Sequence, residues 1–217
     1  MEQKNADMKP YKTIEEGPNE VTAFEELDLS KKYSYADYLT WKFKERVEII
    51  KGHIFKMSPA PGMKHQRISS RIHIQLGVFM NSQGNKCEIF SAPFDVRFPK
   101  ASADNEHVFD IVQPDLCVVC ELSKLDERGC LGAPDLIVEI LSPGSLQRDL
   151  KEKYELYERN SVGEYWVVHP EDSTVLIYRL NEGGKYQASR LFTKGDKVNS
   201  VVLPGLELDL NEVFDFE

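Results

Sequence analysis

The sequence predicts an α/β domain in which a mixed central sheet is flanked by helices and preceded by an added N-terminal hairpin. Three observations carry this prediction. Two apolar runs, Leu116 to Cys120 and Leu136 to Leu141, are nearly continuous, as strands covered on both faces are. Between Lys64 and Asn81 the apolar residues Ile68, Ile72, Leu76 and Phe79 recur at helical spacing. A second helical stripe, Leu146, Leu150, Tyr154 and Tyr157, lies between the last apolar run and further strand-like segments.

At roughly 150 residues per domain, a chain of 217 residues holds one domain, expected over 31–217, behind an acidic leader over 1–30 that lacks sustained periodicity. Hydrophobic residues are 41% and charged residues 29%, a composition that excludes a mostly disordered or fibrous chain. No apolar run approaches the roughly 20 residues of a membrane span. The start, MEQKNADMKPYK, lacks the apolar centre of a secretory signal, so a cytoplasmic protein with no membrane partner is expected. The 27 basic and 36 acidic residues give a net charge of −9. That excludes coating nucleic acid through bulk positive charge, but not a local basic groove.

The elements follow in order. Ser34 to Trp41 reads as a short helix. Val47–Ile50 and His53–Met57, joined at Lys51-Gly52, read as a hairpin, and Ser58-Pro-Ala-Pro-Gly ends it. The helix over 64–81 carries His65 three residues before Ile68, on or beside the buried face. Strands are then expected at Cys87–Phe90, Phe94–Phe98, Ile111–Val119 and Pro134–Leu141, and Ser142-Pro-Gly leads into a helix over 145–160. Glu164–His169 and Thr174–Leu180 follow as strands, with an edge hairpin suggested by Lys185-Tyr-Gln and Ser200-Val-Val-Leu. The four cysteines are too few for a disulfide scaffold. Cys117 and Cys120 form a CxxC, but period two sends residues three apart to opposite faces of a strand. Buried reduced thiols are expected there rather than a zinc site.

Two carboxylates stand out. A carboxylate inside an apolar strand is costly to bury unless compensated, and a metal ion is a common compensator. Asp115 precedes Leu-Cys-Val-Val, and Glu139 interrupts Leu136-Ile-Val-Glu-Ile-Leu. Alternation puts Asp115 on the face of Cys117 and Val119, and Glu139 on the face of Ile137 and Leu141. If the strands are neighbours, the carboxylates meet. Either acid alone could instead be a strand-end cap or the partner of an arginine. Asp135 shares a strand face with Glu139 but lies four residues away, about 13 Å along a strand, too far for one metal. It reads as structural.

Pro114-Asp115, then Glu139 on the next long strand, then a helix carrying lysine resembles the PD-(D/E)xK nuclease superfamily, and more closely the Uma-type restriction endonuclease family. The matching segments are Glu48-Ile-Ile-Lys-Gly, Met57-Ser-Pro, His65-Gln66, Phe94-Asp-Val-Arg, Pro114-Asp-Leu, Gly132-Ala-Pro-Asp-Leu-Ile-Val-Glu-Ile-Leu-Ser-Pro, Asp149-Leu-Lys-Glu-Lys-Tyr and Gly163-Glu-Tyr-Trp-Val-Val, spread over about residues 33 to 180. The resemblance implies a restriction-endonuclease-like core, Mg (or Mn) held by Asp115 and Glu139, DNA as the partner, and a homodimer. The superfamily carries a lysine two residues after the glutamate, where this chain has Leu141. The Uma-type pattern implies that the lysine has moved to the following helix. Lys153, at the edge of the inward stripe, is favoured over Lys151. The resemblance also makes Glu48 an additional metal- or water-binding acid, with an exposed hairpin residue as the alternative. It gives His65 a polar contact, with a capping or buried histidine as the alternative. Asp95 reads as a strand-face acid.

Lys64, Arg67 and Arg71 fall on one helix face and could contact phosphates, although a solvated basic face is the commoner meaning of such a stripe. Gly-rich phosphate loops, GxSxG and HExxH are all missing from the sequence. The expected activity is metal-dependent hydrolysis of DNA phosphodiester bonds. The rivals are a catalytically inactive nuclease-fold protein acting as a nucleic-acid or protein binding module, and hydrolysis of RNA or another phosphate ester at the same site.

Overall fold

The computed structural model describes residues 20–57, 60–84, 86–100, 102–142 and 148–216. The leader expected over 1–30 therefore lies mostly outside the described residues. Ser34 caps the short helix α1 (Tyr35–Tyr38) by accepting from the amide of Asp37, whose carboxylate returns the bond, a capping box that fixes where the helix starts. The hairpin β1 (Val47–Ile50) and β2 (His53–Lys56) turns at Lys51-Gly52, both with positive φ, as a tight hairpin turn requires. Helix α2 (Met63–Ser82) follows. Then come β3 (Glu88–Ser91), β4 (Val96–Arg97), β5 (Ile111–Val112), β6 (Leu116–Val119), β7 (Leu125–Asp126), β8 (Gly129–Leu131) and β9 (Leu136–Ile140). A π-helical turn over Arg148–Lys153 runs into α3 (Tyr154–Arg159). The chain closes with β10 (Glu164–His169), β11 (Thr174–Leu180), β12 (Tyr186–Ala188), β13 (Phe192–Thr193), β14 (Lys197–Val198), β15 (Leu208–Asp209) and α4 (Leu210–Val213).

These strands form two large sheets. One has the order β12-β11-β10-β9-β6-β3, with β13 also on β11, and is mixed because β9 and β10 run parallel. The other has the order β2-β1-β5-β4-β8-β7, so the N-terminal hairpin is the edge of a second sheet. The run Ile111–Val119, read from sequence as one strand, divides between the two. β5 belongs to the hairpin sheet and β6 to the central one, with Gln113-Pro-Asp between them. Proline has no amide hydrogen to give a ladder, so the break falls there.

Alternation along β6, β9 and β10 sorts the core into two layers. Leu116, Val118, Leu136, Val138, Trp166 and Val168 face α2. Cys117, Val119, Ile137, Tyr165 and Val167 face α3 and the second sheet. Helix α2 contributes Ile68, Ile72, Leu76 and Met80, all buried. Each such side chain adds about 1.5–3 kcal/mol of apolar transfer, enough to fix the helix's rotation and hence the direction of its polar side chains. Met80, rather than Phe79, completes the stripe.

Three expectations need correction. Leu150 was expected to point inward, yet it is 40% exposed, while Lys153 is 3% exposed. The wider π turn shifts the phase of the segment relative to an α-helix, so the lysine faces the sheet. Leu146, expected on the same stripe, lies outside the described residues. The Ser200-Val-Val-Leu strand is absent. Those residues form a bend, and β14 pairs instead with β15. Finally, Cys120 is joined to Cys87 by a disulfide, and only Cys117 and Cys130 are free, buried thiols. Register explains the pairing. β3 and β6 match Glu88 with Val119, so the next residues outward are Cys87 and Cys120. Burial pushes the Cys130 thiol up to about 11. A bridge of sequence separation 33 constrains the unfolded chain by about 3–4 kcal/mol. Reduction, or Cys87→Ser, is expected to lower the denaturant midpoint accordingly. An unchanged midpoint after complete reduction would show that the bridge contributes nothing.

Candidate active site

The antiparallel ladder between β6 and β9 runs through Leu116↔Val138, and one further step sets Asp115 beside Glu139. There the side chain takes over from the backbone, as Asp115 Oδ2 accepts the amide hydrogen of Ile140 at 2.7 Å. The same oxygen lies 3.2 Å from His65 Nε2 in the first turn of α2. The buried stripe of α2 therefore aims His65 at the strand end that carries the aspartate.

Glu139 is buried on the other side of the pair. Its Oε1 accepts from Lys153 Nζ at 2.8 Å and from the Tyr157 hydroxyl at 2.7 Å. Lys153 Nζ also lies 2.9 Å from Glu48 Oε1, which accepts the Gln113 amide at 3.0 Å. Glu48, on β1 of the second sheet, is buried rather than an exposed hairpin residue. One ammonium thus sits between two carboxylates, one from each sheet. Desolvation first, and the nearby Glu139 charge second, push the Tyr157 phenol well above its ordinary value, so it stays a neutral donor.

Glu48, His65, Asp115, Glu139 and Lys153 all line one cavity of about 700 Å³. Lys151 is exposed. Of the α2 stripe expected at nucleic acid, Lys64 lines the cavity and pairs with Glu171 at 3.2 Å. Arg71 bonds the Val213 carbonyl and stacks over Phe216, while Arg67 is exposed and does not border the cavity. Besides Lys64 and His65, α2 lines the cavity with Gln66, Ser69, Ser70, Ile74 and His73, whose Nδ1 lies 2.8 Å from Ser91 Oγ.

Two other acids are placed apart from this group. Asp135 accepts the Cys120 amide at 2.7 Å, a structural bond. Asp95 is held by Gln113 Nε2 at 2.8 Å and the Tyr35 hydroxyl at 3.2 Å, and burial raises its carboxyl above the usual range. Sequence reading missed Gln113 and Arg46. The guanidinium of Arg46 donates through Nε and a terminal nitrogen to Gln113 Oε1 at 3.0 and 2.7 Å, and it borders the cavity. No local pattern marks these two residues, because strand pairing across 67 positions brings them together.

Among the described residues no group of three or more His, Cys, Asp or Glu side chains is arranged to hold a metal ion. Magnesium does not require three. It commonly binds through one or two carboxylates and keeps several waters. The hard oxygen donors of Asp115, 21% exposed at its side chain, and Glu139 suit such an ion.

Two mixed sheets, helices on the central one, and adjacent strand carboxylates with a helical lysine define an α/β protein with a restriction-endonuclease-like core. Comparisons with known proteins agree. The family model described as "Uma2: Putative restriction endonuclease" matches residues 35–211, and the chain belongs to that family. It is similar to "Uncharacterized protein slr1290" of Synechocystis, 28% identical over 167 residues that span 73% of this chain and 82% of that one. Its fold is similar to the crystal structure of a "putative nuclease belonging to DUF820" from Anabaena variabilis. That match has a TM-score of 0.63 and 21% identity, covering 84% of this chain and 97% of the other. No helix among the described residues is long and apolar enough to cross a membrane.

Proposed function

We propose that the protein is a metal-dependent endonuclease that hydrolyses DNA phosphodiester bonds with Mg or Mn. The observation that carries this reading is the meeting of Asp115 and Glu139 at the cavity, with Lys153 2.8 Å from Glu139. Asp115 and Glu139 would hold the ion, which when bound polarises a phosphoryl oxygen and lowers the pKa of an attacking water. The Lys153 ammonium, fixed by Glu48 and Glu139, supplies positive charge where the phosphoryl group becomes more negative. Tyr157 and Lys153 together hold Glu139 in one rotamer, so little reorganisation is needed when the substrate arrives. His65 steadies Asp115 from the helix side. The reading places the protein in the cytoplasm with DNA, and cutting both strands of a duplex would call for a homodimer.

The test is cleavage of plasmid, linear and single-stranded DNA in magnesium or manganese by wild type and Glu139→Gln, purified identically. Wild type should cut only with metal, stop on chelation, and lose roughly a thousandfold in rate with Glu139→Gln. Wild type inert on every DNA form, or a variant that cuts equally well, would overturn the reading in favour of a non-catalytic binding module or another phosphate ester.

A further inference from the structure

Resting on the nuclease reading above, we propose that the substrate is a single strand rather than a duplex, and that Arg46 is the residue that grips its backbone phosphate. The cavity is the starting point. At about 700 Å³ it lies within the ~300–1,000 Å³ range of pockets that enclose small ligands. The reacting groups sit deep in it, with the Glu139 and Lys153 side chains each 4% exposed. A duplex phosphate stays on a stiff cylinder whose major groove alone is about 12 Å wide. A single strand can splay and let one phosphate descend.

Charge narrows which side chain can make the contact. Among the described residues the lining carries Arg46, Lys64 and Lys153 against Glu48, Asp115, Glu139 and Glu171, so positive charge is not spread over it but concentrated at a few side chains. Such a wall suits gripping one phosphate rather than the many that a duplex presents along its length, which leaves the question of which side chain makes that contact. Lys153 is held by two glutamates, and Lys64 is paired with Glu171. Arg46 is different. Its side-chain partner is the neutral Gln113 Oε1, and no carboxylate among the described residues lies within ion-pair distance of it.

Gln113 is itself fixed at both ends, by Asp95 on its side-chain nitrogen and Glu48 on its backbone amide. The guanidinium is thereby pre-oriented while its remaining N–H donors are unused by described residues, the arrangement that suits a phosphate. Outward from Arg46, exposure alternates along Trp41-Lys-Phe-Lys-Glu-Arg, and Lys42, Lys44 and Arg46 are all exposed. They share the exposed side of the segment that reaches the cavity at Arg46, with Lys42 only loosely paired to Glu20 at 3.7 Å. On the facing helix Ile74, 57% exposed, offers an apolar contact that an unstacked base can cover.

The experiment is fluorescence anisotropy with a labelled single-stranded DNA of about 12 nucleotides, inside the ~4–16 that single-strand grooves hold, and with the matching duplex, calcium replacing magnesium. Wild type should bind the single strand about tenfold more tightly than the duplex, and Arg46→Gln should lose about five- to tenfold on the single strand. The salt slope should shrink by about 0.7 for that one lost contact. Lys44→Gln should weaken binding about twofold, and Lys194→Gln, outside the lining, should match wild type. Arg46 is exposed, so its substitution leaves the core intact. Equal or tighter duplex binding, no binding of the single strand, or an Arg46→Gln affinity equal to wild type would overturn the proposal. Arg46-dependent binding without cleavage would leave it standing while sinking the nuclease reading. Duplex cleavage untouched by Arg46→Gln would do the reverse.

Discussion

Replacing Lys153 by alanine is expected to lower the unfolding free energy by about 3–5 kcal/mol, the cost of removing one member of a buried ion pair. The ammonium is 3% exposed and lies within 2.9 Å of Glu48 and 2.8 Å of Glu139, so its loss leaves two buried carboxylates without the cation they share. In a protein with a typical net stability of about 5–15 kcal/mol this is a large fraction. The effect combines structure and chemistry, so the measurement is denaturant unfolding together with cleavage assayed well below the variant's melting temperature. The double variant Lys153→Met/Glu48→Gln removes one buried carboxylate charge together with the cation, and it should recover a substantial part of the stability while remaining inactive. If Lys153→Ala is as stable as wild type, the buried cluster is not coupled to folding. If it is stable and still cuts, Lys153 has no part in the site.

The residues that carry this site differ in how visible they are in the sequence. Asp115 and Glu139 stand out because a charge within an apolar strand breaks the local pattern; Glu139 meets Tyr157 on the face alternation predicts, whereas Asp115, at the strand end, turns to His65 on α2. The helix α2 is legible for the same reason, since its stripe needs only near neighbours. What sequence could not supply is pairing between distant segments. The Cys87–Cys120 bridge depends on the register of β3 against β6, and the Arg46–Gln113 contact on β1 meeting β5. The basic stripe Lys64, Arg67 and Arg71 shows the limit of helical spacing. It groups side chains on one face but does not say which turn meets the cavity and which meets the C-terminal segment. Leu150 was misplaced because an α-helical period was applied to a π turn, and the same turn is what carries Lys153 inward.

The substitution Asp115→Asn is expected to separate shape from charge, abolishing cleavage by roughly a thousandfold while changing stability by less than about 1 kcal/mol. Asparagine keeps a carbonyl oxygen that can accept the Ile140 amide, now bonded to Asp115 Oδ2 at 2.7 Å, so the strand end stays capped. It loses the negative charge that gives a carboxylate most of its affinity for a divalent cation. Three readouts bear on the outcome: calorimetric titration with manganese, unfolding, and cleavage of plasmid and single-stranded DNA. A folded variant that neither binds manganese nor cuts would assign the charge of Asp115 to the metal and its shape to the strand end. A variant that binds and cuts like wild type would reduce Asp115 to a cap for β9, leaving Glu139 and Lys153 as a structural ion cluster. A variant that unfolds would contradict the isosteric argument, placing the carboxylate's charge, through His65 3.2 Å away, among the forces that hold α2 on the sheet.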